Sequence, residues 1–102
     1  MEGLRPGLKT ERKIEKILDN NINMYVPYYL ILSYLYYKKD VSIVSDAFFD
    51  KIANVMIGLW NEIEHRHKDL ITLDMLMAGT YLGKYPSIVE GAAESLIKEW
   101  KI

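Results

Sequence analysis

The chain has 102 residues, enough for one hydrophobic core and too few for two. Hydrophobic residues make up 50% of it and charged residues 26%, as in folded globular proteins and unlike disordered ones. The net charge of −1 provides no long-range attraction to nucleic acid or acidic membranes, so direct nucleic-acid binding is not expected. The absence of cysteine excludes disulfides, thiolate metal sites and cysteine nucleophiles, and favours a cytoplasmic location.

The N-terminal half predicts a loose leader and two helices. Residues 1–9 contain two glycines and a proline, which is typical of a leader, and residues 10–102 then form a single helical domain. Thr10 can cap a first helix over about residues 11–20. A second helix is expected over about 26–38, with Pro27 in its first turn, where a missing N–H costs nothing. Its apolar run is shorter than the roughly 20 residues that span a bilayer, so no membrane segment is predicted.

The C-terminal half predicts three further helices. Ser45 is a good N-cap for a third helix over about 46–67, in which apolar residues recur every three or four positions. A fourth helix is expected over about 72–82. A capping-box pattern of Ser87 and Glu90 starts a fifth helix. No alternation typical of strands occurs, so the predicted fold class is all-α, a compact domain of four to five helices built around a helical hairpin.

The junction between the second and third helices carries an unusual set of aromatic and acidic residues. Tyr36 and Tyr37 end the second helix, while Asp46, Phe49 and Asp50 begin the third. Asp46 and Asp50 are four residues apart, so they project from one helix face beside Phe49. Two interpretations stay open. The carboxylates can simply stabilise the helix N-terminus, by about 0.3–1 kcal/mol each, or the five residues can form a pocket.

The spacing of this set resembles the N-terminal helical subdomain (Ia) of bacterial NAD-dependent DNA ligases. Tyr36 and Tyr37 occupy the place of a Tyr-His pair that ends one helix in that family. Residues 46–50, DAFFD, match the Asp-Ala-x-Tyr-Asp motif that opens the next helix at the same interval. Residues 64–72 are similar to the family's Glu-x-x-His-Pro-Glu-Leu-x-Thr stretch, about one helical turn later. The resemblance covers residues 28–72.

The resemblance implies a site for the nicotinamide mononucleotide half of NAD. Phe49 would stack on the nicotinamide ring, and Asp46 and Asp50 would accept hydrogen bonds from its amide and from ribose hydroxyls. Tyr36 would supply a hydroxyl or packing surface. Tyr37 replaces the family's histidine and removes a cation near the phosphate, while Phe49 replaces a tyrosine and lacks its hydroxyl.

The expected function is non-enzymatic, because the sequence contains no Lys-x-Asp-Gly adenylation motif and no converging acid, base and nucleophile. The chain would bind NAD or nicotinamide mononucleotide, or act in trans with a nucleotide-handling enzyme. The alternative is a protein–protein interaction or inhibitor module on a scaffold that has lost its ligand, encoded by a bacteriophage and binding a protein partner or a second copy of itself. In that case Trp60 or Trp100, if exposed, would be a binding hot spot.

Two further patterns have structural explanations. Glu64 and His67 have a metal-ligand spacing, but the second copy that such sites need is absent, so no metal is expected. Residues 65–68, HRHK, form a basic cluster that would oppose the dipole at the end of the third helix.

Overall fold

The protein is described by a computed structural model covering residues 8–78, 81 and 83–100. The described residues form helices and turns without strands, which confirms the all-α prediction. The radius of gyration, 12.8 Å, is close to the ~13 Å of a single hundred-residue domain. The helices are α1 (Leu8–Asn20), α2 (Tyr25–Lys38), α3 (Asp46–Leu59), α4 (Leu73–Ala78) and α5 (Ser87–Trp100), with short 3-10 turns at Ile22–Met24 and Lys68–Leu70.

Helix α2 is the centre of the fold. Ten of its 14 residues are buried, because apolar residues occur on most of its sides. It packs against α5 and α3, and α3 packs in turn against α4. The consecutive helices α2 and α3 supply the expected hairpin. None of the described helices has the length and apolar character needed to cross a membrane.

Helix α1 begins earlier than predicted. Leu8 and Lys9 are helical, so α1 includes the last two residues of the predicted leader, and the leader's residues 1–7 lie outside the described part of the chain. Two contacts join α1 to α3. The Glu11 carboxylate accepts a 2.8 Å hydrogen bond from the Ser45 N–H, and the Lys51 ammonium donates to Glu15 at 2.7 Å.

Helix α3 ends at Leu59 and not near residue 67 as predicted. The Lys68 ammonium donates hydrogen bonds to the carbonyls of Trp60 (2.6 Å) and Ile63 (2.9 Å), and it lies 4.8 Å from the Trp60 ring centre. These bonds satisfy carbonyls that would otherwise continue the helix. The chain therefore turns here, and Ile63 is still fully buried.

Helix α4 is described over Leu73–Ala78, while residues 79, 80 and 82 lie outside the description. Tyr81 is not helical. It is 4% exposed, and its hydroxyl donates to the Lys84 carbonyl. Gly83 makes room for that ring, because a Cβ at position 83 would lie 2.5 Å from the Tyr81 hydroxyl oxygen. The helical spacing of apolar residues in the sequence extends to Tyr81, but Tyr81 lies in the core as a non-helical residue. The predicted end of the fourth helix near residue 82 is therefore wrong.

Candidate functional site

The end of α2 and the segment that follows it are held in a fixed conformation. Asp40 has a left-handed φ of 56°, which reverses the chain after α2. The Val41 N–H then donates to the Leu35 carbonyl at 2.9 Å. Ile43 and Val44 are 2% and 5% exposed, so the connection is anchored in the core on one side. Tyr36 and Tyr37, by contrast, are 50% and 46% exposed.

The start of α3 is equally well defined. Ser45 is the N-cap, as predicted, and its Oγ accepts a 3.1 Å hydrogen bond from the Phe48 N–H. Phe48 points into the core, while Asp46 and Asp50 are exposed. Phe49 is half-buried, and its ring stacks on Tyr29 with centroids 5.0 Å apart and 19° between the planes. The Phe49 ring is thus held in place by the central helix.

These two segments enclose a cleft of about 280 Å³. All five residues singled out from the sequence line it: Tyr36, Tyr37, Asp46, Phe49 and Asp50. The Tyr36 and Tyr37 rings meet edge to face, with centroids 5.0 Å apart. We call this space, between the end of α2, residues 42–45 and the first turns of α3, the aromatic–acidic cleft.

The charges at the cleft are of one sign. Asp46 and Asp50 are carboxylates, and no lysine, arginine or histidine is among the described lining residues. The N-terminal end of α3 contributes a partial positive charge, which Asp46 in its first turn offsets. The cleft therefore favours a ligand that presents positive charge or hydrogen-bond donors.

Ser33 belongs to the cleft and was missed from the sequence. It is 1% exposed, lines the cleft, and its hydroxyl has no hydrogen-bond partner within the protein. A buried hydroxyl without a partner is destabilising, but the Ser33 oxygen is closed off from solvent and does not present a hydrogen-bonding group to the cleft. No local signal marks Ser33, which looks in the sequence like an interruption of an apolar run.

The two tryptophans named as conditional hot spots are both partly buried. Lys68 covers the ring of Trp60, and the Lys13 ammonium lies 5.0 Å from the ring centre of Trp100. Among the residues that the structure describes, the large apolar side chains that are exposed, besides the two cleft tyrosines, are Leu73, Met77 and Ile88.

The explanation given for the basic cluster at residues 65–68 holds for one of its members. The Lys68 ammonium bonds to the carbonyl of Trp60, the C-cap residue of α3, and so places a positive charge at the negative end of the α3 dipole. His65, Arg66 and His67 come six to eight residues after Leu59 and are not helical. The Glu64–His67 spacing is likewise not helical, and the Glu64 N–H donates to the Asn23 side chain at 2.8 Å. Across residues 8–78, 81 and 83–100, no three histidine, aspartate or glutamate side chains are grouped so that they could hold a metal ion.

His65, Arg66 and His67 lie instead at a second concavity of about 470 Å³, between α2, α5 and the segment after α3. It shares no lining residue with the aromatic–acidic cleft.

Comparison with known proteins gives no matching family model, no similar characterised protein and no similar solved structure.

Proposed function

We propose that the aromatic–acidic cleft binds a nicotinamide-type nucleotide, and that the protein is a non-enzymatic recognition module. The observation that carries the proposal is that Tyr36, Tyr37, Asp46, Phe49 and Asp50, selected from the sequence, line one cleft. The resemblance to ligase subdomain Ia supplies the class of ligand. The roles follow from the chemistry of the residues.

The charge of the ligand is the strongest physical argument. The nicotinamide ring of NAD⁺ and of nicotinamide mononucleotide is a pyridinium cation, whereas the reduced ring of NADH is neutral. A cationic aromatic ring is attracted both by carboxylates and by the faces of aromatic side chains. Asp46, Asp50 and the rings of Phe49, Tyr36 and Tyr37 offer both at the cleft.

The size and polarity of the cleft fit one half of a dinucleotide. Its volume of about 280 Å³ is near the lower end of the roughly 300–1,000 Å³ of small-molecule pockets. Because the described lining has no cation, the phosphate is expected to point to solvent.

The first testable prediction concerns the charge of the ring. In NMR titrations, nicotinamide mononucleotide and NAD⁺ should shift the amide signals of residues 42–50. NADH, which has the same phosphates and a neutral ring, should bind about tenfold more weakly, a difference of about 1.4 kcal/mol. Absence of shifts with nicotinamide mononucleotide at millimolar concentration would refute the nucleotide proposal.

Substitutions identify the groups responsible. Asp46→Asn with Asp50→Asn should weaken NAD⁺ binding at least tenfold and leave the already weaker NADH binding nearly unchanged. Asp74→Asn is the matched control, since Asp74 also lies in a first helical turn but not at the cleft. Equal losses in the double variant and the control would point to helix stability as the cause.

A second candidate function is a protein–protein interaction module. Leu73 and Met77 are one turn apart on α4, and they are 42% and 72% exposed. Apolar side chains exposed side by side are typical of docking surfaces. This alternative requires that the double aspartate variant keep its biological function while Met77→Lys loses it. The comparison between these two variants separates the candidates.

A further inference from the structure

The second concavity is a groove whose walls are mainly apolar. Its α2 side is formed by Pro27, Tyr28 and Ile31, and its α5 side by Val89, Leu96 and Trp100. Tyr28, Ile31, Val89 and Leu96 also belong to the hydrophobic core, so the walls are rigidly placed. We call this space, together with its rim at His65, Arg66 and His67, the α2–α5 groove.

The groove exists because α5 presents small side chains where a large one would close it. Ile88, Ala92, Ser95 and Glu99 follow one another at helical spacing along the groove side of α5. Ala92 and Ser95, in the middle of that row, are too small to fill the space towards α2. Ile88, at one end of the row, remains 58% exposed.

The rim of the groove carries hydrogen-bond donors. The His67 N–H donates to His65 Nδ1 at 3.1 Å, and the two rings lie 5.3 Å apart. Burial, followed by the charges of His67 and Arg66, lowers the pKa of His65, which favours its neutral form. Since Nδ1 accepts a hydrogen bond, the proton of the neutral ring is on Nε2, which is therefore a donor.

The Arg66 guanidinium adds a permanent positive charge with a forked set of donors. Glu99 is the one carboxylate among the described lining residues, against one guanidinium and two imidazoles. The combination is thus an apolar channel with an anion-binding rim. A guanidinium binds a carboxylate or a phosphate through two parallel hydrogen bonds. The apolar walls, however, would leave most polar groups of a nucleotide or a sugar without hydrogen-bond partners.

We propose that the α2–α5 groove binds an amphiphile with a carboxylate head, such as a medium-chain fatty acid. The alkyl chain lies between α2 and α5 against Ile31, Leu96 and Ile88. The carboxylate accepts hydrogen bonds from the Arg66 guanidinium and from the His65 ring. The groove volume of about 470 Å³ is in the small-molecule range of roughly 300–1,000 Å³ and favours such a ligand over a protein segment. This site is separate from the aromatic–acidic cleft.

Trp100 provides a direct readout, because it lines the groove. In a Trp60→Phe background, decanoate below its micellar concentration should change Trp100 fluorescence saturably. Decanol, which has the same chain and no charge, should bind at least tenfold more weakly. Arg66→Gln should weaken decanoate binding at least tenfold and leave decanol binding unchanged. Arg12→Gln is the matched control, because Arg12 is an exposed arginine of α1 outside the groove.

A second substitution tests the location. Ala92→Leu fills the middle of the groove from an exposed helical position, so the fold is retained and both ligands should be lost. Equal affinity for decanoate and decanol, or an unchanged affinity in Arg66→Gln, would overturn the assignment of the head group. Lack of saturable binding would overturn the site. A dimer in sedimentation whose formation changes Trp100 fluorescence in the Trp60→Phe background would also overturn it, because the groove would then be a dimer interface.

Discussion

Tyr29 shows how one side chain can both stabilise the fold and oppose it. Its ring stacks on Phe49 and meets the Tyr81 ring edge-on at 6.4 Å, so it links the cleft to the core. Its hydroxyl is buried and has no hydrogen-bond partner. Burial of an unpaired hydroxyl costs about 1–3 kcal/mol in proteins.

We therefore expect Tyr29→Phe to raise the free energy of unfolding by about 1 kcal/mol, since the ring contacts remain and the unpaired hydroxyl is removed. Urea denaturation followed by circular dichroism measures the change. Tyr81→Phe is the matched control, and should lower stability by about 1 kcal/mol because it removes the bond to the Lys84 carbonyl. A loss of stability in Tyr29→Phe would show that its hydroxyl has a partner after all.

The residues of the cleft differ in how far the sequence reveals them. Asp46 and Asp50 were recognisable because helical spacing places them on one face, and the position of Tyr36 and Tyr37 follows from the end of α2. Ser33 could not be identified, since its importance depends on a buried hydroxyl that has no partner. That property is created by packing and leaves no pattern in the chain.

The same contrast holds for the helices. Periodicity and caps predicted five helices, and the start of α3 at Asp46 was correct because Ser45 is a local signal. The predicted end of α3 was wrong. Lys68 lies nine residues beyond Leu59, and its ammonium binds the carbonyls of Trp60 and Ile63, where the helix has ended. Helix ends that are set by a distant side chain are invisible to a local pattern.

Two glycines, Gly58 and Gly91, lie inside helices at positions where alanine would fit. Gly91 is exposed in the middle of α5, and a Cβ added there would meet nothing within 4 Å. Alanine favours a helix over glycine by about 0.5–1 kcal/mol, chiefly through the lower entropy of the unfolded chain. Gly91→Ala should therefore raise the midpoint of thermal unfolding, and Gly58→Ala in α3 should act likewise.

Gly83→Ala is the informative contrast. It is expected to lower the unfolding midpoint, because its Cβ would contact the buried Tyr81 ring at 2.5–3.1 Å. If all three alanine variants shifted the midpoint in the same direction, helix propensity and the Tyr81 contact would not explain the glycines.

At the scale of the whole molecule, α2 is a shared wall. Leu32 and Ser33 lie on its side towards the cleft, while Tyr28 and Ile31 lie on its side towards the groove. The sequence of α2 is apolar on most sides, but it does not reveal that two of these sides face open space. Whether a side of α2 faces open space depends on the residues that pack opposite it. The small residues of α5 matter because α5 lies beside α2 in the fold.

Because tyrosines around α2 are buried, the stability of the molecule should depend on pH in the alkaline range. Burial raises the pKa of several tyrosines above the ordinary value of about 10, and is the largest cause for each of them: Tyr25, Tyr28, Tyr29, Tyr81 and Tyr85. For Tyr85 the pKa is raised to about 12, with smaller contributions from Tyr81 and Tyr37. These hydroxyls hold their protons more tightly in the folded chain than in the unfolded one.

The sign of the effect follows from proton binding. Below about pH 10 both states keep their tyrosine protons, so this contribution to stability is fully present. Between pH 10 and the folded pKa, about 12 for Tyr85, the unfolded chain loses protons that the folded chain retains. The free energy of unfolding should then fall, by up to about 1.4 kcal/mol per pH unit for each such tyrosine. Urea denaturation at a series of pH values should show a flat region below pH 10 and a decline above it. Tyr85→Phe should make the decline shallower, and an equal slope in this variant and the parent protein would contradict the role assigned to Tyr85.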